Sequence, residues 1–481
     1  MISKIFRHHV AIIIIITLSF LLAKRQSDYF VTSAVYALFL FLIFNTIQHY
    51  KNSKQLTFNP LSLLLVVWVS WLFVPLCAHW INPTALFGIM HCSAWVLMYL
   101  LVIQMPFNQD IFWRMTKNIL FLLALISALI GLYQHYYLHH MAVGLFASRN
   151  SNGIFIVLAA VLVLGDLLIK KQPSFLSNHV IKATLLFIFN SALFLSLSRG
   201  VLLSYLISII FLLSVNLKYL NKKYLYITLT LFLLSLVLFL INTHQSLNHR
   251  IMMLHDEQSR LLIWKGAWNL WLASPWYGIG LFNFKYYYKA FSLPGDNSSL
   301  EYAHNDYLQL LLETGIPGAL IILLVGLFLC FIGIRYLKNP NPDRATHIAI
   351  TSLFAILIAF LSHSFVDYNF YLLPMNMLLG VLIAMLILKL GRQYVPRYSL
   401  PFAKVKTSFL LTTMICSIFI SFFCFKLLMF SYYSDKAELA KNRQDYYEAI
   451  TANNQALKWL EHPEIHSKQA DLHIEIGRAH V

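Results

Sequence analysis

Charge is scarce in this chain: 11% of its 481 residues are Asp, Glu, Lys or Arg, with 19 acidic side chains against 36 basic ones. So few charges cannot coat a soluble protein of this length. With 59% hydrophobic residues, a single buried core in water is excluded. Cysteine is sparse as well. Cys77, Cys92, Cys330, Cys416 and Cys424 lie in or beside apolar runs, with neither Cys-x-x-Cys nor metal-ligand spacing, so they read as small apolar residues. The chain lacks Gly-x-x-x-x-Gly-Lys, His-Glu-x-x-His and any paired acidic metal motif, which disfavours nucleotide hydrolysis and zinc proteolysis and predicts no metal and no cofactor. A cleaved secretory signal is missing too, because the apolar run 10–23 has no Ala-x-Ala exit and another run follows closely.

Long apolar stretches take the place of these features. Thirteen membrane spans are predicted, at 10–23, 29–48, 61–78, 85–104, 118–138, 152–169, 181–197, 200–215, 224–241, 317–334, 345–362, 372–388 and 407–430. The expected fold is therefore all-α, a polytopic membrane protein of about 12–13 transmembrane helices embedded in membrane lipids. The net charge of +17 follows the spans rather than marking nucleic-acid binding. With the N-terminus in the cytoplasm, twenty Lys and Arg residues fall in cytoplasmic loops, and only Lys24, Arg25, Arg149 and Arg199 fall in the short loops opposite. That asymmetry is the positive-inside pattern.

One connection is long, 242–316, and the topology puts it on the outer side. Its first half places Leu261, Trp264, Trp268, Trp271 and Leu272 on one helical face, suited to the headgroup region. Ser274-Pro-Trp-Tyr-Gly-Ile-Gly280 stops that helix. The string Phe282, Phe284, Tyr286, Tyr287, Tyr288 and Phe291 then reads as an interfacial aromatic belt or a sugar-stacking platform. The loop closes with Glu301-Tyr-Ala-His-Asn-Asp-Tyr-Leu-Gln-Leu-Leu-Leu-Glu-Thr-Gly-Ile-Pro-Gly318, where histidine, amide and carboxylates stand side by side at the edge of a span. Asp306 and Gln309 have capping-box spacing, Gly315 should end the helix that follows, and Pro317 suits the first turn of the next. His304 sits just before that helix, where its imidazole either caps loop backbone or takes a proton from a hydroxyl.

Three arginines share the outer face. Arg199 stands in the tight Ser198-Arg-Gly200 junction between two spans, where a guanidinium must snorkel or bind an anion. Arg260 opens the loop helix, and Arg149 lies in Arg149-Asn-Ser-Asn-Gly153. His363, in Ser-His-Ser-Phe-Val-Asp-Tyr368, adds a histidine and a carboxylate. A base, several guanidinium groups and no metal ligands suit transfer of a group from an anionic lipid carrier to a hydroxyl, the arginines holding the departing pyrophosphate. A transporter or glycolipid flippase is the rival class, but no convincing internal repeat or mid-span polar break supports it.

The Ala303-to-Gly318 stretch, with Arg260-x-x-x-Trp264, Pro275-x-x-Gly-Ile-Gly280 and Ser198-Arg-Gly200, resembles the hallmark of the O-antigen ligase and polymerase superfamily, over roughly 140–390. The resemblance implies an undecaprenyl-diphosphate-linked glycan donor at the periplasmic face of the bacterial inner membrane. It also implies metal-independent inverting transfer to lipid A-core, to a periplasmic or pilin protein, or to a growing glycan. His304 would activate the acceptor hydroxyl and Arg199 and Arg260 would engage the pyrophosphate, with Arg149, Asn305, Asp306 and His363 binding substrate.

Beyond the last span the composition changes. Tyr446-Tyr-Glu-Ala-Ile-x-x-Asn-x-x-Ala-Leu457 followed by Pro463 resembles part of a tetratricopeptide repeat. A helical tail on the outer side is similar to that of protein O-oligosaccharyltransferases, whereas Arg149-Asn-Ser-Asn-Gly153 lacks their Gln-x-Asn motif and is closer to the ligases. The expected organisation is a transmembrane glycan-transferase domain over 1–430, a partial helical-repeat tail over 431–474, and a non-native terminus over 475–481 that reads like a translated sequencing adapter.

Overall fold

A computed structural model describes residues 12, 14–21, 55–78, 83–104, 108–168, 179–219, 222–242, 255–296, 301–340 and 343–479. The span expected at 29–48 lies outside the described residues, and the one at 10–23 is described only in part. In chain order the principal helices are α1 (Pro60–Trp71), α2 (Phe73–Ala78), α3 (Pro83–Gln104), α4 (Gln109–Tyr136), α5 (Arg149–Leu168), α6 (His179–Ser196), α7 (Arg199–Val215), α8 (Lys222–Asn242), α9 (His255–Ala273), α10 (Asp306–Lys338), α11 (Arg344–His363), α12 (Leu373–Leu390), α13 (Phe402–Asn442), α14 (Tyr446–Trp459) and α15 (Pro463–Ala479). Eight segments among the described residues are long and apolar enough to cross a bilayer, and Arg199–Val215 and Tyr226–Ile241 are shorter apolar helices. The chain is an all-α polytopic membrane protein. Among the described residues one small sheet pairs β1 (Gln55–Phe58) antiparallel with β2 (Tyr398–Pro401), an element the apolar pattern does not announce.

Hydropathy makes the helices and burial sorts them. α5 and α12 are each buried over 94% of their apolar windows, so they form the centre, whereas α10 is buried over only 28%. Its exposed Leu320, Leu323, Leu324, Leu327, Phe331 and Ile334 recur at helical spacing, the stripe of a helix that faces lipid. Small residues let the central helices approach closely. A Cβ at Gly380 would collide with the carbonyl oxygen of Trp95 on α3, and one at Gly165 with Ser352 on α11.

Charge inside the bundle is paired. Lys117 of α4 reaches both carboxylate oxygens of Asp166 of α5 at 2.7 Å, and Lys182 of α6 donates to the Asp166 carbonyl at 2.8 Å. The contact ties three helices together. Removing one partner would leave a desolvated charge, which typically costs about 3–5 kcal/mol.

The loop helix also buries the face opposite the one expected to meet the membrane. Ile263, Ala267 and Leu270 of α9 are buried with Phe284, Tyr288, Ala303 and Leu312 in a small core, and Trp264 and Trp271 pack against it. Of the expected membrane face, Leu261, Trp268 and Leu272 are exposed and Trp264 and Trp271 are half-buried. Of the aromatic string, Phe284 and Tyr288 are buried, Phe282, Tyr286 and Phe291 are half-buried and Tyr287 is exposed. Phe284 stacks on Tyr288 at 4.6 Å, Phe282 packs on Phe87, His91 and Tyr371, and Tyr287 is the exposed one of the string at 42%.

Candidate active site

The end of α10 that carries the site is a helix broken on purpose by Gly315, at φ 68° and ψ −178°. A break leaves carbonyls and amides without intrahelical partners. Here the Ser274–Gly280 turn supplies them: Ile279 N–H donates to Leu312 O and Gly280 N–H to Glu313 O, both at 3.0 Å. Ile316 N–H returns a bond to Pro275 O at 2.9 Å, and the Trp71 indole donates to Thr314 O at 2.8 Å. The backbones come so close that a Cβ at Gly278, itself at φ 69°, would sit 2.6 Å from the Glu313 carbonyl carbon. As expected, Gly315 ends one helix and Pro317 lies in the first turn of the next.

Ahead of the break, the short helix is set by its cap. In place of the capping box expected at Asp306, a simple cap lies one residue earlier: Asn305 is the N-cap, its side-chain oxygen accepting from Tyr307 and Leu308 N–H at 3.0 Å. Asp306 has another task. It is 1% exposed, and both its oxygens accept from Phe370 N–H at 3.2 Å while its own N–H donates to Ser364 O at 2.9 Å. It therefore clamps the 364–370 segment onto the start of α10. Gln309 reaches back to Ala303 N–H at 2.9 Å, and Trp264 of α9 donates to Ala303 O at the same distance. With both polar backbone groups of Ala303 held, the next residue, His304, is placed at φ 50°, a left-handed conformation that a non-glycine residue adopts only when its surroundings impose it.

That conformation brings His304 to Asp367. The imidazole Nδ1 lies 3.3 Å from Asp367 Oδ1, with the histidine side chain 28% exposed and the aspartate 3%. Tyr368 N–H also donates to Oδ1 at 3.0 Å. Burial pushes the Asp367 carboxyl up, but the His304 hydrogen bond and the charges of His363, His304 and Arg260 outweigh it and hold the group at about 2. An ionised carboxylate can only accept, so Nδ1 carries the proton and Nε2 keeps a lone pair. The result is an imidazole arranged to take a proton at its exposed side.

The other expected site residues fall around this pair. Arg260 of α9 is half-buried, and its charge acts on both Asp367 and His363. Arg199 is the first residue of α7 with an exposed side chain, after Ser198 as N-cap. A Cβ on the next residue, Gly200, would lie 2.6 Å from Val366 and 3.6 Å from the His363 ring, so this helix start borders the Asp367 turn. Arg149 opens α5, whose Gly153 packs equally closely on Val201 of α7. The first turns of α5 and α7 thus pack together, and helix N-termini favour anions. His363 is 1% exposed, its Nδ1 3.0 Å from Asn369 Oδ1. It supports the turn from beneath.

Reasoning on sequence noticed the carboxylate at 367 without pairing it with His304, because 63 residues separate them. It also passed over Glu313, which is fully buried and accepts from the Tyr371 hydroxyl at 2.6 Å and from Gln309 at 3.3 Å. The signal for Glu313 was available: a carboxylate just before a helix break within an apolar run needs buried partners.

Fold and site together define a multi-pass membrane protein with a histidine–carboxylate pair, flanked by arginines, at one end of its helices. Residues 183–323 match the family model described as O-antigen ligase, which supports likeness to the O-antigen ligase superfamily over that segment. It contains Arg199, Arg260 and His304, while Asp367 and Arg149 lie outside it. No curated protein matches the chain.

Proposed function

We propose that the chain is a membrane glycosyltransferase that moves a glycan from undecaprenyl diphosphate to an acceptor hydroxyl at the periplasmic face, without a metal and with inversion. The observation that carries this reading is the His304–Asp367 pair, an exposed imidazole edge backed by a buried ionised carboxylate. His304 Nε2 takes the acceptor proton as the hydroxyl oxygen attacks the anomeric carbon, and the bond to the diphosphate breaks on the opposite side. Arg260 and Arg199, with the N-termini of α7 and α5 behind them, stabilise the negative charge on the departing diphosphate. Arg149 adds to the same field.

The O-antigen ligase reading favours lipid A-core as acceptor. A second reading, with a protein acceptor, is supported by the helical tail, which docks on the same long loop through Lys285–Glu464 at 3.0 Å and Tyr286–His462 at 3.4 Å. Transfer in vitro from an undecaprenyl-diphosphate glycan to lipid A-core and to a pilin-like protein, run in parallel, decides between them. His304→Ala should lower the rate by about 10²–10⁴-fold with whichever acceptor works. Undiminished transfer would remove His304 as the base.

A further inference from the structure

Several groups around His304 have hydrogen-bonding capacity that the fold leaves unused. Asp367 gives Oδ1 to His304 and to Tyr368 N–H, while its Oδ2 is buried with no hydrogen-bond partner among the described residues. A bare buried carboxylate oxygen is costly, so the position calls for a donor. Beside it, Tyr302 and Tyr368 stack with ring centroids 4.2 Å apart and planes 12° from parallel, and the His304 ring meets Tyr368 at 5.2 Å. Both tyrosines are half-buried, and among the described residues neither phenol oxygen makes a hydrogen bond. Burial pushes both phenols above their ordinary value, so both stay protonated at neutral pH. Tyr371, against the same stack, differs in that its hydroxyl is already committed to Glu313.

The chemistry of this cluster selects a ligand class. A carboxylate at hydrogen-bonding range repels phosphate, so the cluster is not a second diphosphate site. A lone serine or threonine hydroxyl would engage one of these groups and leave the rest bare. A pyranose has adjacent hydroxyls that donate to a carboxylate and accept from phenols, and its C–H groups suit an aromatic wall. We propose that Tyr302, Tyr368 and Asp367 form a sugar subsite at His304, holding the ring at which transfer takes place. This rests on the transferase reading above, and the ring belongs either to the donor glycan or to a saccharide acceptor.

The test uses the full chain in detergent, with Tyr302→Phe, Tyr368→Phe and the double variant, which keep the rings and remove the hydroxyls. Steady-state transfer is measured with donor and acceptor titrated separately. Equilibrium binding of the undecaprenyl-diphosphate glycan, the acceptor and glycan-free undecaprenyl diphosphate is measured in a His304→Ala background, where turnover does not intervene. The double variant should raise KM for one substrate by about tenfold, with kcat within about twofold and a matching loss of binding. A donor effect assigns the ring to the donor glycan, and an acceptor effect assigns it to a saccharide acceptor. Unchanged KM and binding for both would overturn the subsite, as would an equal loss for the glycan-free lipid, which would report a damaged site rather than lost sugar recognition. Should His304→Ala still transfer, the base assignment fails while the binding measurements continue to judge the subsite.

Discussion

Asp367 decides what His304 can do. Its carboxyl titrates at about 2 in the folded chain against an ordinary 3.8, so as pH falls the unfolded chain takes up the proton first. The stabilisation from the pair is complete above pH about 4 and is lost as pH falls toward 2, and it amounts to about 2 kcal/mol. Across the working range the histidine is therefore oriented by a charge that does not titrate. Asp367→Asn should lower transfer by about 10²-fold or more, because an amide can donate to Nδ1 and so hold the wrong tautomer. Initial rates at saturating donor, beside acid unfolding followed by circular dichroism, check both halves. A variant with wild-type rate would show that the carboxylate only fills space. The residue types at this site were legible in the sequence, and so was the proximity of His304 to a helix start. The pairing was not, because it depends on Asp306 clamping the 364–370 segment against that start.

For the helices, the break in α10 couples the loop to the bundle. Gly315 carries φ 68°, and a Cβ there would run into the Trp276 carbonyl. Gly315→Ala should destabilise the chain by about 1–3 kcal/mol through backbone strain, and by more if the turn at 275–280 is displaced. Because that turn caps the short helix leading from His304, transfer should fall together with the unfolding temperature. Thermal unfolding in detergent, run beside the transfer assay, tests this; an unchanged midpoint would show that the two backbones do not need their close approach. The positions of Gly315 and Pro317 made this break readable beforehand. The cap was misread by one residue, since Asp and Asn both cap well and only the buried demand of Phe370 N–H draws Asp306 inward. For the aromatic string, spacing shows that rings are present, not which neighbour covers them.

Across the whole molecule the tail meets the loop. His462 is 2% exposed and burial lowers it to about 4, with Lys285 and Lys468 lowering and Glu464 raising it. The docked state therefore disfavours the protonated ring, and docking is full above pH about 6.5 and weakens as pH falls toward 4. Hydrogen exchange over 446–479 should accelerate at pH 5 relative to pH 7, after correction for intrinsic rates, and His462→Phe should flatten that difference. Equal protection at both pH values would mean that the tail is held elsewhere. Composition and apolar periodicity alone determined that the chain crosses a membrane many times and that one connection, 242–316, is long, while short motifs and the family resemblance singled out a histidine and arginines to watch. These are local properties, because a span needs only enough consecutive apolar residues and a helix break needs only glycine or proline. Tertiary structure decided that Asp367 serves His304, that Asp306 and His363 brace the turn, and that the loop's aromatic residues form a core. Each of those depends on contacts between segments far apart in the chain, where buried polar groups must find partners that no local pattern specifies.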